Sequence, residues 1–115
     1  MKKFLRSFYY AFKGLRYAFK TQLNFKVHTV LAIAVIPLGW YYELNSTEWI
    51  WILLAITLVL IVELLNTAVE FLTDLISPDY HPKAGIVKDL AAAAVLITAC
   101  FAVIAGLIIF IPKIF

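Results

Sequence analysis

Glu63-Leu64-Leu65-Asn66-Thr67-Ala68-Val69-Glu70-Phe71-Leu72-Thr73-Asp74 is the stretch that decides the fold. It continues an apolar run, Trp49 to Val62, of membrane-spanning character. Two carboxylates and an asparagine are thereby carried to bilayer depth or close to it. A charged side chain there costs at least about 2.5–3.5 kcal/mol, so it marks a functional site by default. With successive residues turned by about 100°, Glu63, Asn66, Glu70 and Asp74 share one helix face, with Thr67 beside them. One polar stripe descends an otherwise apolar helix and reaches water at Asp74.

The rest of the chain agrees with a membrane setting. Of its 115 residues 64% are hydrophobic and the mean hydropathy is +0.95, well above the roughly 45–50% apolar content of soluble domains. The length suits a single domain, 1–115, with no room for a separate soluble catalytic unit. The lone Cys100 excludes an intrachain disulfide and a multi-cysteine metal site.

Seven of the ten basic residues (Lys2, Lys3, Arg6, Lys13, Arg16, Lys20 and Lys26) precede the first span, and no acidic residue occurs before Glu43. They alternate with Phe4, Leu5, Phe8, Phe12, Leu15 and Phe19 at helical spacing. This pattern predicts an amphipathic helix over about 2–22, lying on anionic headgroups with its basic stems snorkelling; it argues against nucleic acid as a partner. Lys13, Arg16 and Lys20 interrupt any signal-peptide core.

Three spans are predicted, at about 27–42, 49–72 and 90–111. The first ends in Trp40-Tyr41-Tyr42, an interfacial aromatic cluster, and the second opens with Trp49 and Trp51. Thr47 or Ser46 is the expected cap of the second span. The third is 22 uncharged residues, stopped by Pro112 and Lys113. The connector 77–89 contains Lys83 and Lys88, whereas 43–48 has no basic residue. The positive-inside rule then puts the N-terminus and 77–89 in the cytoplasm, with 43–48 and the C-terminus outside. Three thin helices do not hide a polar stripe from lipid, so a homo-oligomer is expected. Ala91 to Ala94, Ala99, Ala102, Ala105 and Gly106 suit close helix packing.

Three chemistries fit the stripe alone: polar glue between helices, a proton or ion pathway, and catalysis at the membrane surface. A pathway needs polar groups continuing outward from Glu63, and Val62 through Trp49 offers only Thr57. Glu70 and Asp74 lie within reach of Asp79, His81, Lys88 and Asp89 in the next connector. Carboxylates with a nearby lysine suit Mg²⁺ and a polyphosphate. No P-loop and no kinase glycine loop is present.

Glu63-Leu-Leu-Asn66-Thr-Ala-Val-Glu70-x-x-x-Asp74, then His81-Pro82 and Lys88-Asp89-x-Ala-Ala, resembles the prokaryotic diacylglycerol kinase family, which includes undecaprenol kinases. Lys13-Gly14-Leu15-Arg16 and Asn24-Phe25-Lys26-Val27-His28 match its pattern upstream, so the resemblance covers nearly the whole chain. It implies ATP- and Mg²⁺-dependent phosphorylation of a membrane lipid alcohol by a homotrimer in the bacterial inner membrane, with active sites between protomers on the cytoplasmic side. It maps the general base onto Glu63, an orienting asparagine onto Asn66 and a metal-binding glutamate onto Glu70. Lys88 and Asp89 fall at the ATP phosphates. Tyr10, Asp79, Tyr80 and His81 fall at the nucleotide, and Ala92 joins Glu63 at the lipid.

Two positions depart from the family pattern. A second metal-binding glutamate is usual where this chain has Gln22, and a glycine is usual where it has Ala93. An amide oxygen coordinates Mg²⁺ without contributing charge. His28, where the first span begins, is open to a capping or headgroup role and to a catalytic one. The His81-Pro82 wording favours undecaprenol over diacylglycerol as the substrate.

Overall fold

The computed structural model describes all 115 residues as four α-helices: α1 (Lys2–Thr21), α2 (Leu23–Tyr41), α3 (Ser46–Ile76) and α4 (Pro82–Ile114). Gln22 alone separates α1 from α2, with an extended backbone (φ −109°, ψ 108°). Its N–H closes α1 on the Ala18 carbonyl at 2.8 Å, and its own carbonyl accepts from Lys26 at 3.0 Å to open α2.

The turn between α2 and α3 is set by two local motifs. Glu43 takes a left-handed conformation (φ 53°). The Leu44 N–H bonds the Gly39 carbonyl at 3.0 Å and the Glu43 N–H bonds the Trp40 carbonyl at 3.2 Å, which is the Schellman pattern that satisfies the last carbonyls of a helix. Asn45 then caps α3. Its Oδ1 accepts from the Glu48 N–H at 2.9 Å, and Glu48 Oε1 accepts from the Asn45 N–H at 3.0 Å. The cap expected at Thr47 or Ser46 is therefore Asn45, because Glu48 three residues on completes the reciprocal pair.

All three apolar helices are long enough and apolar enough to cross a membrane; each begins earlier than expected from hydropathy, and α3 and α4 also end later. The connector expected over 77–89 is mostly helix. Pro82 stands in the first turn, where its missing N–H costs nothing, and His81 Nδ1 accepts from the Lys83 N–H at 3.1 Å. Pro112 does not stop α4. It lies inside the last turns, and the helix closes with Phe115 N–H on the Ile111 carbonyl at 3.0 Å.

α3 is the axis of the molecule. Its buried residues Ile52, Ala55, Val59, Glu63 and Thr73 recur mostly at helical spacing, so the apolar seam against α2 and α4 runs directly into the polar stripe. α4 packs antiparallel along α3. At one end Lys113 pairs with Glu48 at 3.2 Å. There Trp40 meets Trp49 and Tyr42 meets Phe110, each with ring centroids 6.1 Å apart. At the other end α1 leans on α3, with Tyr17 edge-on to Phe71 at 5.9 Å. Only 10 of 115 residues are buried, so most apolar side chains face outward. With backbone hydrogen bonds closed inside the helices, that surface suits lipid as its solvent.

Candidate functional site

Glu63 is 1% exposed and is the only charged residue sealed within the chain. α2 crosses α3 at this level and brings His28 Nε2 to 3.3 Å from Glu63 Oε1, an ion pair when the imidazole is protonated. The contact is close but not aligned as a hydrogen bond, and Glu63 Oε1 is left buried without a hydrogen-bond partner. Thr67, the neighbour on the next turn, hydrogen-bonds backward to the Glu63 carbonyl at 3.0 Å and offers nothing to the carboxylate.

Asn66 Nδ2 donates to Glu70 Oε1 at 3.2 Å. The sequence-based expectation had Asn66 orienting Glu63; its amide instead bonds down the helix, four residues on, to Glu70. Helix geometry puts both carboxylates within reach of Asn66, three residues after Glu63 and four before Glu70, and its side-chain rotamer selects Glu70. Asn66 Oδ1 is the second buried oxygen without a partner. Glu63, Asn66 and Glu70 thus form a polar seam along α3, with two buried oxygens left without a hydrogen-bond partner.

Lys88 Nζ reaches Asp74 Oδ1 at 2.6 Å and ties the first turns of α4 to the last turns of α3. Asp89, its neighbour, is exposed, because successive helical residues diverge by about 100°. Ser77 Oγ donates to the Asp79 carbonyl at 3.1 Å and shapes the turn before α4. Asp79 and Tyr80 project outward, Tyr80 being 90% exposed, and His81 caps α4. Tyr10 is exposed on α1 and stacks edge-on with Tyr9 at 5.4 Å. Gln22 Nε2 donates to Thr21 Oγ1 at 3.3 Å, and Ala92 is exposed on α4.

The structure therefore assembles Glu63 with His28, Asn66 with Glu70, and Asp74 with Lys88. Tyr10, Gln22, Asp79, Tyr80, His81, Asp89 and Ala92 make no hydrogen bond or ion pair to Glu63 or Glu70. No three metal-ligating side chains of His, Cys, Asp or Glu type cluster together. The donors present, a half-buried Glu70 carboxylate beside the free Asn66 oxygen, fit a Mg²⁺ ion that takes most of its ligands from phosphate oxygens and water.

The approach of His28 to Glu63 is legible in no local pattern, since it depends on the crossing of α2 over α3. The same holds for Tyr17, which touches Phe71 from α1. Between α2, α3 and α4 lies an apolar cavity of about 280 Å³ lined by Leu31, Ala55, Val59, Ala102 and Gly106, with His28 as its polar edge.

Residues 9–110 match the family of prokaryotic diacylglycerol kinases. This chain belongs to that family. It is 42% identical over 113 residues to the undecaprenol kinase of Bacillus subtilis (strain 168), covering 98% of this chain and 92% of that protein. It is 45% identical over 109 residues to the diacylglycerol kinase of Synechocystis sp., covering 94% of this chain but 62% of that longer protein. The diacylglycerol kinase of Escherichia coli (strain K12) is 34% identical over 95 residues, 83% of this chain and 78% of that protein. As a member of the prokaryotic diacylglycerol kinase family, the chain is a membrane protein of a lipid-kinase family, and its polar seam is the natural place to look for the chemistry.

Proposed function

We infer that this chain is an ATP- and Mg²⁺-dependent kinase that phosphorylates the hydroxyl of a membrane lipid alcohol, undecaprenol ahead of diacylglycerol. The observation that carries the reading is Glu63, sealed in a membrane helix with one carboxylate oxygen unpartnered. Polar glue between helices would hold the carboxylate in aligned hydrogen bonds; here no side chain is aligned to donate to it, and it remains able to take a substrate proton. In the transfer, the lipid oxygen forms a bond to the γ-phosphorus, the bond from that phosphorus to the bridging oxygen breaks, ADP leaves, and the hydroxyl proton goes to Glu63.

The other roles follow the polar seam towards Ser77. Glu70, held by Asn66, and Gln22 would hold Mg²⁺, which when bound neutralises phosphate charge. Lys88 and Asp89 stand at the phosphates, with Tyr10, Asp79, Tyr80 and His81 at the nucleotide. Ala92 borders the lipid beside Glu63. The separation of these residues within one protomer supports a homotrimer whose sites are shared between subunits. A hydrocarbon core of about 30 Å takes about 20 helical residues. Counted from the aromatic anchor at Trp49, it ends near Glu70, leaving Asp74 in water and Glu63 about two turns inside the hydrocarbon edge, so the lipid hydroxyl has to be drawn inward to meet it. The basic N-terminal segment supports a reading with α1 on the cytoplasmic face of the inner membrane, along with the start of α4. Undecaprenol is favoured because the Bacillus subtilis relative that matches nearly end to end is named for that substrate.

The test is phosphoryl transfer from labelled ATP with Mg²⁺, in mixed micelles containing undecaprenol or diacylglycerol. Label on undecaprenol in preference, lost in Glu63→Gln with nucleotide binding kept, is the expected result. Preference for diacylglycerol overturns the substrate assignment. Wild-type turnover in Glu63→Gln overturns the base assignment.

A further inference from the structure

We propose that His28 is the positioning residue for Glu63: its Nε2–H, coming from α2, holds Glu63 Oε1, so that the other carboxylate oxygen is turned to meet the lipid hydroxyl. The inference rests on the reading of Glu63 as the base.

The argument begins with what α3 withholds from Glu63. Thr67 spends its hydroxyl on the Glu63 carbonyl, and Asn66 spends its amide N–H on Glu70. No side chain of α3 donates to the carboxylate. A carboxylate 1% exposed also lacks water as a donor, and an unmet buried carboxylate is costly to keep charged. A donor must then come from another helix, and His28 Nε2 at 3.3 Å is the group in place. A neutral imidazole with its proton on Nε2 suffices, so no second charge has to be buried. Site hydrogen bonds commonly tighten when substrate binds, so a 3.3 Å approach short of alignment is a competent starting geometry.

The location of His28 adds a second reason. Its side chain is 24% exposed, against 2% for Glu63, and it edges the apolar cavity between α2, α3 and α4. The imidazole thus stands where the sealed carboxylate meets space open to an apolar chain. It is also tied to the start of α2, where Thr29 Oγ1 donates to the Phe25 carbonyl at 2.8 Å and Phe25 is buried. The ring is carried on a fixed turn, as a positioning group requires.

The test compares His28→Leu, which removes the donor, with His28→Gln, which keeps an N–H, in the full-length protein in mixed micelles. Folding is checked by thermal unfolding, and kcat is separated from KM for ATP and for lipid. In His28→Leu, kcat is expected to fall by about 10²-fold, within the about 10²–10⁴-fold that general-base help supplies, with both KM values unchanged. His28→Gln recovers most of the loss, and adding His28→Leu to Glu63→Gln lowers turnover no further. Unchanged kcat in a folded His28→Leu, an equal loss in both variants, or a rise in lipid KM alone overturns the proposal while leaving Glu63 as the base. Turnover retained in Glu63→Gln overturns the base assignment and this inference together.

Discussion

Lys88 and Asp74 are joined across the α3–α4 turn, with Nζ 2.6 Å from Oδ1. The pair lies at the same end as the turn at Ser77–His81, where α3 has run past the apolar seam. Both side chains are well exposed, 40% and 65%, so the pair is a weak brace and its lysine is free to move to a phosphate.

That freedom separates two effects. Asp74→Asn changes stability by less than about 1 kcal/mol, the range of exposed ion pairs, and keeps most of the turnover. Lys88→Met, equally mild on stability, lowers kcat by about 10²–10³-fold, as loss of one donor at developing charge does. Unfolding in detergent and the transfer assay, run on both variants, check the contrast.

Gln22 sits in the single extended residue between α1 and α2, with its amide N–H bonded only to Thr21. If its oxygen faces the metal, Gln22→Glu adds a charge there. The Mg²⁺ concentration for half-maximal activity is then expected to fall roughly tenfold, a modest gain for one screened charge interaction. Titration of Mg²⁺ at fixed ATP measures it, and an unchanged midpoint removes Gln22 from the metal site.

At the opposite end, Gly39 is packed under an aromatic ring. A methyl group built on it would stand 2.5 Å from Trp49 Cη2 and 2.8 Å from Cζ2. Gly39→Ala therefore has to displace the indole and with it the contact to Trp40. A loss of about 1–3 kcal/mol, typical of overpacking, is expected in thermal unfolding. kcat should hold, because Glu63 lies about four turns further along α3 than Trp49.

Glu43 occupies the left-handed position of the α2 terminus, which costs a residue with a Cβ about 1–2 kcal/mol. Glycine removes that cost and loses part of the gain to unfolded-chain entropy. Glu43→Gly is expected to stabilise the protein by about 0.5–1 kcal/mol, seen as a higher unfolding temperature in detergent. No rise would mean that the Glu43 side chain contributes where no hydrogen bond is seen.

The all-helical membrane architecture, and the polar stripe of Glu63, Asn66 and Glu70, were decided by the sequence itself. Apolar runs in lipid leave the backbone no other way to satisfy its hydrogen bonds, and helical periodicity fixes which residues share a face. Helix limits were less legible. Pro112 reads as a stop, yet α4 continues through it to Ile114, whereas Pro82 sits in the first turn, where a missing N–H costs little. Only the tertiary structure decided that Asn66 serves Glu70, that Lys88 reaches Asp74, and that His28 faces Glu63. The last two pairs join different helices, and the first turns on a choice of side-chain partner. Such contacts follow from how helices cross and which rotamers remain, and no spacing along one chain encodes either.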